Sequence, residues 1–251
     1  RAHLGFRHRR PFRSKRATPS AGEVTVNKHL TKKPIVVTSG ASVVTLIGGG
    51  LAVGGQAVTA ADYTATDQPT LADAITAANT NIGPDTITIA EGTITLTEAL
   101  PVIEDELTII GAGEGVTVLD GDGAYRIFRA TDANALTISD MTLQNGFAGI
   151  DTASGGSGGA VLAERTSLTL ENVTMSNNYA RLDGGAVEVT NNSVPPQFTL
   201  DISDSTFDYN TAVNTPAVDV NGFISSVTIS NSTFTDNTSS NGFFGTGALT
   251  V

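Results

Sequence analysis

GGAVLAERTSLTLENVTMSNNYARLD, residues 158–183, holds three short strand-like runs: Ala160 to Ala163, Ser167 to Leu170, and Val173 to Met175. Apolar residues alternate with polar ones, and alternation in an extended chain sends one set of side chains to a core and the other to water. The stretch also recurs. Leu136, Ile138, Leu143 and Gly146 are answered by Leu168, Leu170, Met175 and Asn178, by Leu200, Ile202, Phe207 and Asn210, and by Val227, Ile229, Phe234 and Asn237. Leu136, Leu168, Leu200 and Val227 stand 32, 32 and 27 residues apart, a period that marks stacked supersecondary units and not one wound core.

A second phrase runs out of phase with the first. Gly158-Gly159-Ala160-Val161 returns as Gly184-Gly185-Ala186-Val187, weakens to Thr215-Pro216-Ala217-Val218 and recovers as Thr246-Gly247-Ala248-Leu249. Its alanines are 26, 31 and 31 residues apart, so corners vary in length while strands stay short. Three strands per turn, each lying on its equivalent in the next turn, predict an all-β fold: a right-handed parallel β-helix. Asn178, Asn210 and Asn237 are expected at equivalent corners, in left-handed backbone geometry and bonded to their stacked copies. Asn172, Asn191, Asn231 and Asn237 also fit the glycosylation sequon, and corner geometry is the preferred reading. One turn cannot fold alone, because ordering its backbone costs about 1–2 kcal/mol per residue, more than its few apolar side chains return. Further chain is therefore expected after Val251, and the sequence reads as a fragment.

Charge divides the chain. Residues 1–60 carry ten of the fourteen basic residues and a single acid, Glu23, whereas residues 61–251 carry four Arg, no Lys and 24 acids. Such asymmetry predicts a basic leader over 1–60 and the β-helix over 61–251. The leader joins a basic run (Arg7, Arg9, Arg10, Arg13, Lys15, Arg16) to a weakly apolar stretch from Ile35 to Val58, with Val58-Thr59-Ala60 as a cleavage site, and reads as an export signal. The expected location is secreted or cell-surface, with outer-membrane association through an anchor outside this sequence. Nucleic acid is excluded as a partner of the acidic part, since phosphate binding requires clustered Lys and Arg.

Pro69 to Asn79 predicts a short helix over about 70–80, with Leu71, Ala74, Ile75 and Ala78 on one apolar face and Gly83-Pro84 as a stop. Thr70 and Asp73 read as its capping box. The helix is expected to cover the open end of the coils, which occupy about 85–251. This segment resembles the Cys-Ser-Leu-Arg-Glu-Ala-Ile signature, followed by Ala-Asn, that begins a family of exported β-helix proteins. Leu71, Ala74, Ile75, Ala78 and Asn79 match it; Pro69, Thr70, Ala72 and Asp73 depart from it. The coils resemble the repeats of polymorphic outer membrane proteins, which alternate Gly-Gly-Ala-(Ile/Leu/Val) with Phe-x-x-Asn. Phe207-Asp208-Tyr209-Asn210 and Phe234-Thr235-Asp236-Asn237 match the second element, and Met175-Ser176-Asn177-Asn178 carries Met for Phe. That resemblance implies a surface protein of the adhesin or autotransporter-passenger kind.

The chemistry open to the acidic part is narrow. All three His (His3, His8, His29) lie in the leader and the chain has no Cys, which excludes His-dependent triads, thiol nucleophiles and His-ligated zinc. Asp120, Asp122, Arg126 and Arg129 are the candidates for a lyase-like acid–Arg group, but Asp120-Gly121-Asp122-Gly123 reads first as a turn. Arg126 and Arg129 would point to opposite faces of a strand. Glu104-Asp105-Glu106 reads as a solvated loop, and pairing of Arg165 with Asp151 or of Arg181 with Asp183 as accidental. The expectation is therefore no catalytic, cofactor-binding or metal residues and no cofactor, with a cell-surface glycan or a host or neighbour surface protein as partner. The alternative is a carbohydrate-active enzyme (polysaccharide lyase or glycoside hydrolase) or carbohydrate-binding β-helix, using corner insertions at 146–157 and 190–197.

Overall fold

The computed structural model describes residues 59–149, 155–192 and 198–241, and the backbone of 249–250. The expected leader lies outside the described residues up to position 58, as do parts of both corner insertions. Every strand pairing in the described chain is parallel, and most join strands a full turn apart in sequence. Leu107 faces Leu136, Leu136 faces Leu168, Leu168 faces Leu200 and Leu200 faces Val227 in unbroken register. The columns Ile138–Leu170–Ile202–Ile229 and Leu143–Met175–Phe207–Phe234 run alongside. The fold is a parallel β-helix.

Each complete turn has three walls. The first is built from residues 128–131 and 161–164, Val187–Asn191 and Val218–Gly222, and ends with Leu249–Thr250. The second begins earlier than the sequence suggests, with Asp62–Ala65 ahead of the helix, and continues through Asp85–Ile89, Leu107–Ile110, residues 135–139 and 167–171, Phe198–Ser203 and Ile224–Ser230. The third holds Gly92–Thr95, Thr117–Asp120, residues 142–144 and 174–176, Thr206–Asp208 and Thr233–Thr235. A narrow fourth sheet stacks Phe147–Ala148, Tyr179–Ala180, Thr211–Ala212 and Thr238–Ser239.

The three runs of residues 158–183 are one continuous strand, Val161–Ser176, folded around two corners. Each corner is a single residue in the left-handed region, Arg165 at φ 50° and Asn172 at φ 52°, so the chain changes wall without leaving its pairing. The same corner after the second wall recurs at Asp140, Asp204 and Asn231. Short polar Asn and Asp suit this conformation because their side chains bond locally. Arg165 has no such side chain, and its guanidinium is instead held by Asp132 of the preceding turn at 2.5 and 2.7 Å.

The helix, Gln68–Ala78, buries Leu71, Ala74, Ile75 and Ala78 in the main core, as its pattern predicts. Its cap differs. Asp67 is the N-cap: its carboxylate accepts from the Thr70 amide at 3.0 Å while the Thr70 hydroxyl accepts from the Asp67 amide at 3.1 Å. Thr70 thus closes the box instead of opening it, because Pro69, which lacks an amide hydrogen, fits inside the first turn. Gln68 and Asn79 fasten the two ends of the helix, bonding the backbone of Thr97 and Glu98 and of Val102 and Glu104.

Candidate functional site

The corner after the third wall carries an asparagine column. Asn178 and Asn210 are 1 and 0 % exposed and Asn237 is 7 %. The Asn178 side-chain oxygen accepts from the Gly146 amide at 2.8 Å, and its nitrogen donates to Leu143 O at 3.1 Å and Asn210 Oδ1 at 3.0 Å. Asn210 repeats the pattern with the Asn178 amide, Met175 O and Asn237 Oδ1. The stacked bonding expected from the sequence is present. The left-handed residues are one position earlier, Asn145, Asn177, Tyr209 and Asp236, which frees the following asparagine to turn its amide inward.

The outward columns of the second and third walls are polar and regular. Thr86, Thr108, Thr137, Thr169, Asp201 and Thr228 align in one. Thr142, Thr174, Thr206 and Thr233 align in another, beside Gln144, Ser176, Asp208 and Thr235. With neighbouring strands about 4.8 Å apart, hydroxyl, amide and carboxylate groups repeat along these walls; at one end of the third wall Thr142 is buried, its hydroxyl accepting from the Gly115 amide at 3.0 Å, and the Thr174 hydroxyl donates to Glu114 at 2.7 Å.

The first wall is different. Leu162, Glu188 and Asp219 form an outward column, yet they are 2, 6 and 3 % exposed. The loops that lead into each turn fold back over them. Gly158 lies against Val161 and Leu162, and Gly184 against Val187 and Glu188. These lid loops bond to one another, Leu182 N donating to Gly156 O and Asn214 N to Leu182 O, both at 2.9 Å. Beneath them the Asn221 amide donates to Glu188 Oε1 at 3.3 Å and to Asp219 Oδ2, and the Thr215 hydroxyl bonds Asp219. Glu188 Oε2 is buried with no hydrogen-bond partner. Burial first, then the Asp219 charge, pushes the Glu188 carboxyl up to about 9, and burial raises Asp219 as well.

No known protein family, curated protein or solved structure matches the chain. The parallel β-helix is thus established by strand register within the chain itself.

The candidates for lyase-like chemistry take up separate structural positions. Asp120-Gly121-Asp122-Gly123 is a turn, with Asp122 and Gly123 at φ 53° and 62° and the Asp122 amide on Asp120 Oδ1 at 2.8 Å. Burial alone would raise Asp120, but hydrogen bonds from Gln144, the Asp122 amide and Asn145 outweigh it and hold the carboxyl below its ordinary value. Arg126 lies before the strand that starts at Phe128, not on it, and donates to the carbonyls of Ser157 and Gly158 at 2.8 Å each. Arg129 pairs with Glu164 at 2.7 Å. Arg165 pairs with Asp132; Asp151 lies outside the described residues. Glu104-Asp105-Glu106 is a loop with both glutamates exposed.

Among the described residues, no three of His, Cys, Asp and Glu gather in the manner of a metal centre. Of the sequon asparagines, Asn191 and Asn237 are buried and Asn172 donates to Asp140 Oδ1 at 2.7 Å, whereas Asn231 is exposed. The Glu188–Asp219 pair was not singled out in the sequence. Its one local signal is position: both follow an Ala-Val step, where the preceding turn has Leu162.

Proposed function

We propose that this chain is a secreted or cell-surface β-helical repeat protein of the adhesin or autotransporter-passenger kind, binding through its walls and catalysing no reaction. The observation that carries this reading is the set of three outward columns on the second and third walls. Thr, Ser, Gln and Asp repeat there at strand spacing, a surface suited to many weak hydrogen bonds with the hydroxyls of a glycan or with an extended surface protein. The two sequence resemblances support it. Leu71, Ala74, Ile75 and Ala78 form the buried face of the helix, and Phe207 and Phe234 stack at 4.7 Å with Asn210 and Asn237 in the corner column. The export-type leader and the acidic surface are further support.

Enzymatic alternatives are disfavoured by placement. Arg126 and Arg129 are engaged with backbone carbonyls and Glu164, and the one converging carboxylate pair described above is closed beneath the lid loops. A glycan array probed with the full chain, run beside a polysaccharide-degradation assay, tests the reading. Retention on a subset of glycans without release of reducing or unsaturated ends is the expected result. Chain cleavage of any polysaccharide would overturn it, as would failure to bind both the array and a cell surface displaying proteins.

A further inference from the structure

Two carboxyls are buried on adjacent turns with a third acid beside them, and one of their oxygens, Glu188 Oε2, has no hydrogen-bond partner, a costly arrangement unless something else meets that atom. The groups facing them are known from each side. Asp219 lies on the turn below, Asp183 comes from the lid loop, Asn221 and Thr215 supply neutral bonds, and the turn above contributes only Leu162. The charges acting on the pair are therefore acidic. Among the described arginines, Arg129 and Arg165 are paired with Glu164 and Asp132, Arg126 bonds loop carbonyls, and Arg181, at the start of the lid loop, is exposed.

We propose that Glu188 and Asp219 form a binding site for one divalent hard cation, Ca²⁺ before Mg²⁺, held between two turns of the first wall beneath the lid loops. The donors are all oxygen, the set that selects a hard cation over zinc or copper. Glu188 Oε2 is buried without a hydrogen-bond partner and Asp219 lies beside it on the next turn, while the Asn221 side-chain nitrogen donates to other oxygens of the pair. Calcium tolerates an irregular shell completed by backbone oxygens and water, whereas Mg²⁺ demands near-octahedral geometry. Two carboxylates without a dedicated cage place the affinity in the range of extracellular modules, about 10⁻⁴–10⁻³ M. The site departs from the sequence expectation of no metal residue and stands apart from the adhesive reading, which concerns the other two walls.

The full chain, stripped with EDTA, is titrated with CaCl₂ by calorimetry, with thermal midpoints measured alongside. The expected result is one Ca²⁺ per chain and a higher midpoint at about 10 mM Ca²⁺. Glu188→Gln and Asp219→Asn should each abolish both responses. Should either fail to fold, the double variant Glu188→Leu/Asp219→Leu decides, since Leu162 shows that the same column accepts leucine. That variant should fold and ignore calcium. A wild-type chain with neither a heat nor a midpoint response overturns the proposal. An equal response in the double-leucine variant also overturns it, placing calcium elsewhere on the acidic surface.

Discussion

Asn210 is the residue at which sequence, geometry and stability meet most directly. Its side chain accepts from the amide and side chain of Asn178 and donates to Met175 O and Asn237 Oδ1, so no lone pair or proton of the amide is idle in a fully buried corner. Asn210→Ala strands a buried amide and a carbonyl and should cost about 2–4 kcal/mol, since each orphaned group carries about 1–3 kcal/mol. Asn210→Asp keeps the acceptor but loses the donor and buries a charge. It should be no better than alanine at neutral pH and recover part of the loss in acid, as read from urea melts. Glu188 sets a second dependence. Its folded-state carboxyl is pushed up to about 9, above its unfolded value, so the stability it contributes is complete below the unfolded pKa of about 4.3. That contribution declines as pH rises and is gone above the folded value. In EDTA the thermal midpoint should therefore fall between mildly acidic and alkaline pH, and Glu188→Leu should flatten that slope. A midpoint that rises over the same interval would contradict the assignment.

Among the elements, the lid loop of residues 181–185 constrains its sequence most tightly. Gly184 sits at φ 59°, and a Cβ on Gly185 would collide with the carbonyl oxygen of Pro216 on the next turn. Gly185→Ala must therefore push two turns apart and should destabilise by about 1–3 kcal/mol, as an overpacked core site does. Limited proteolysis would then cut within 181–185 first. The helix is more tolerant: Asp67→Ala removes half of one capping box and should cost about 1 kcal/mol. These elements also separate what was legible from what was not. Strand order, register and the buried face of the helix follow from alternation and a repeat near 32 residues, because a single apolar column leaves few other pairings. The cap was misplaced by three residues, since Asp67 and Thr70 both carry capping side chains and only Pro69 decides between them. The buried carboxyl pair was illegible for a deeper reason. Alternation correctly points Glu188 and Asp219 outward, and nothing in the strand itself announces that a loop will fold back and cover them.

For the molecule as a stack of turns, stability is a sum of nearest-neighbour contacts and does not depend on one irreplaceable core. Leu168 and Leu200 are direct register partners, so deleting residues 168–199 joins Ser167 to Leu200 and removes one whole turn. Leu136 then meets Leu200, Met141 to Leu143 meet Ser205 to Phe207, and Gly146 meets Asn210, each pairing of the kind already found one turn away. The Glu188–Asp219 pair is lost in the same step, with Leu162 set against Asp219. The shortened chain should retain the strand signal in circular dichroism and a cooperative urea transition at a lower midpoint. Deleting only residues 168–183 is the necessary control. It joins Ser167 on the second wall to Gly184 at the entrance to the first, so walls no longer lie on their equivalents and apolar columns face polar ones. That half-turn deletion should fail to fold although it removes fewer residues. Equal behaviour of the two variants would mean that removed length, and not register, governs stability, which the stacked columns of this fold do not allow.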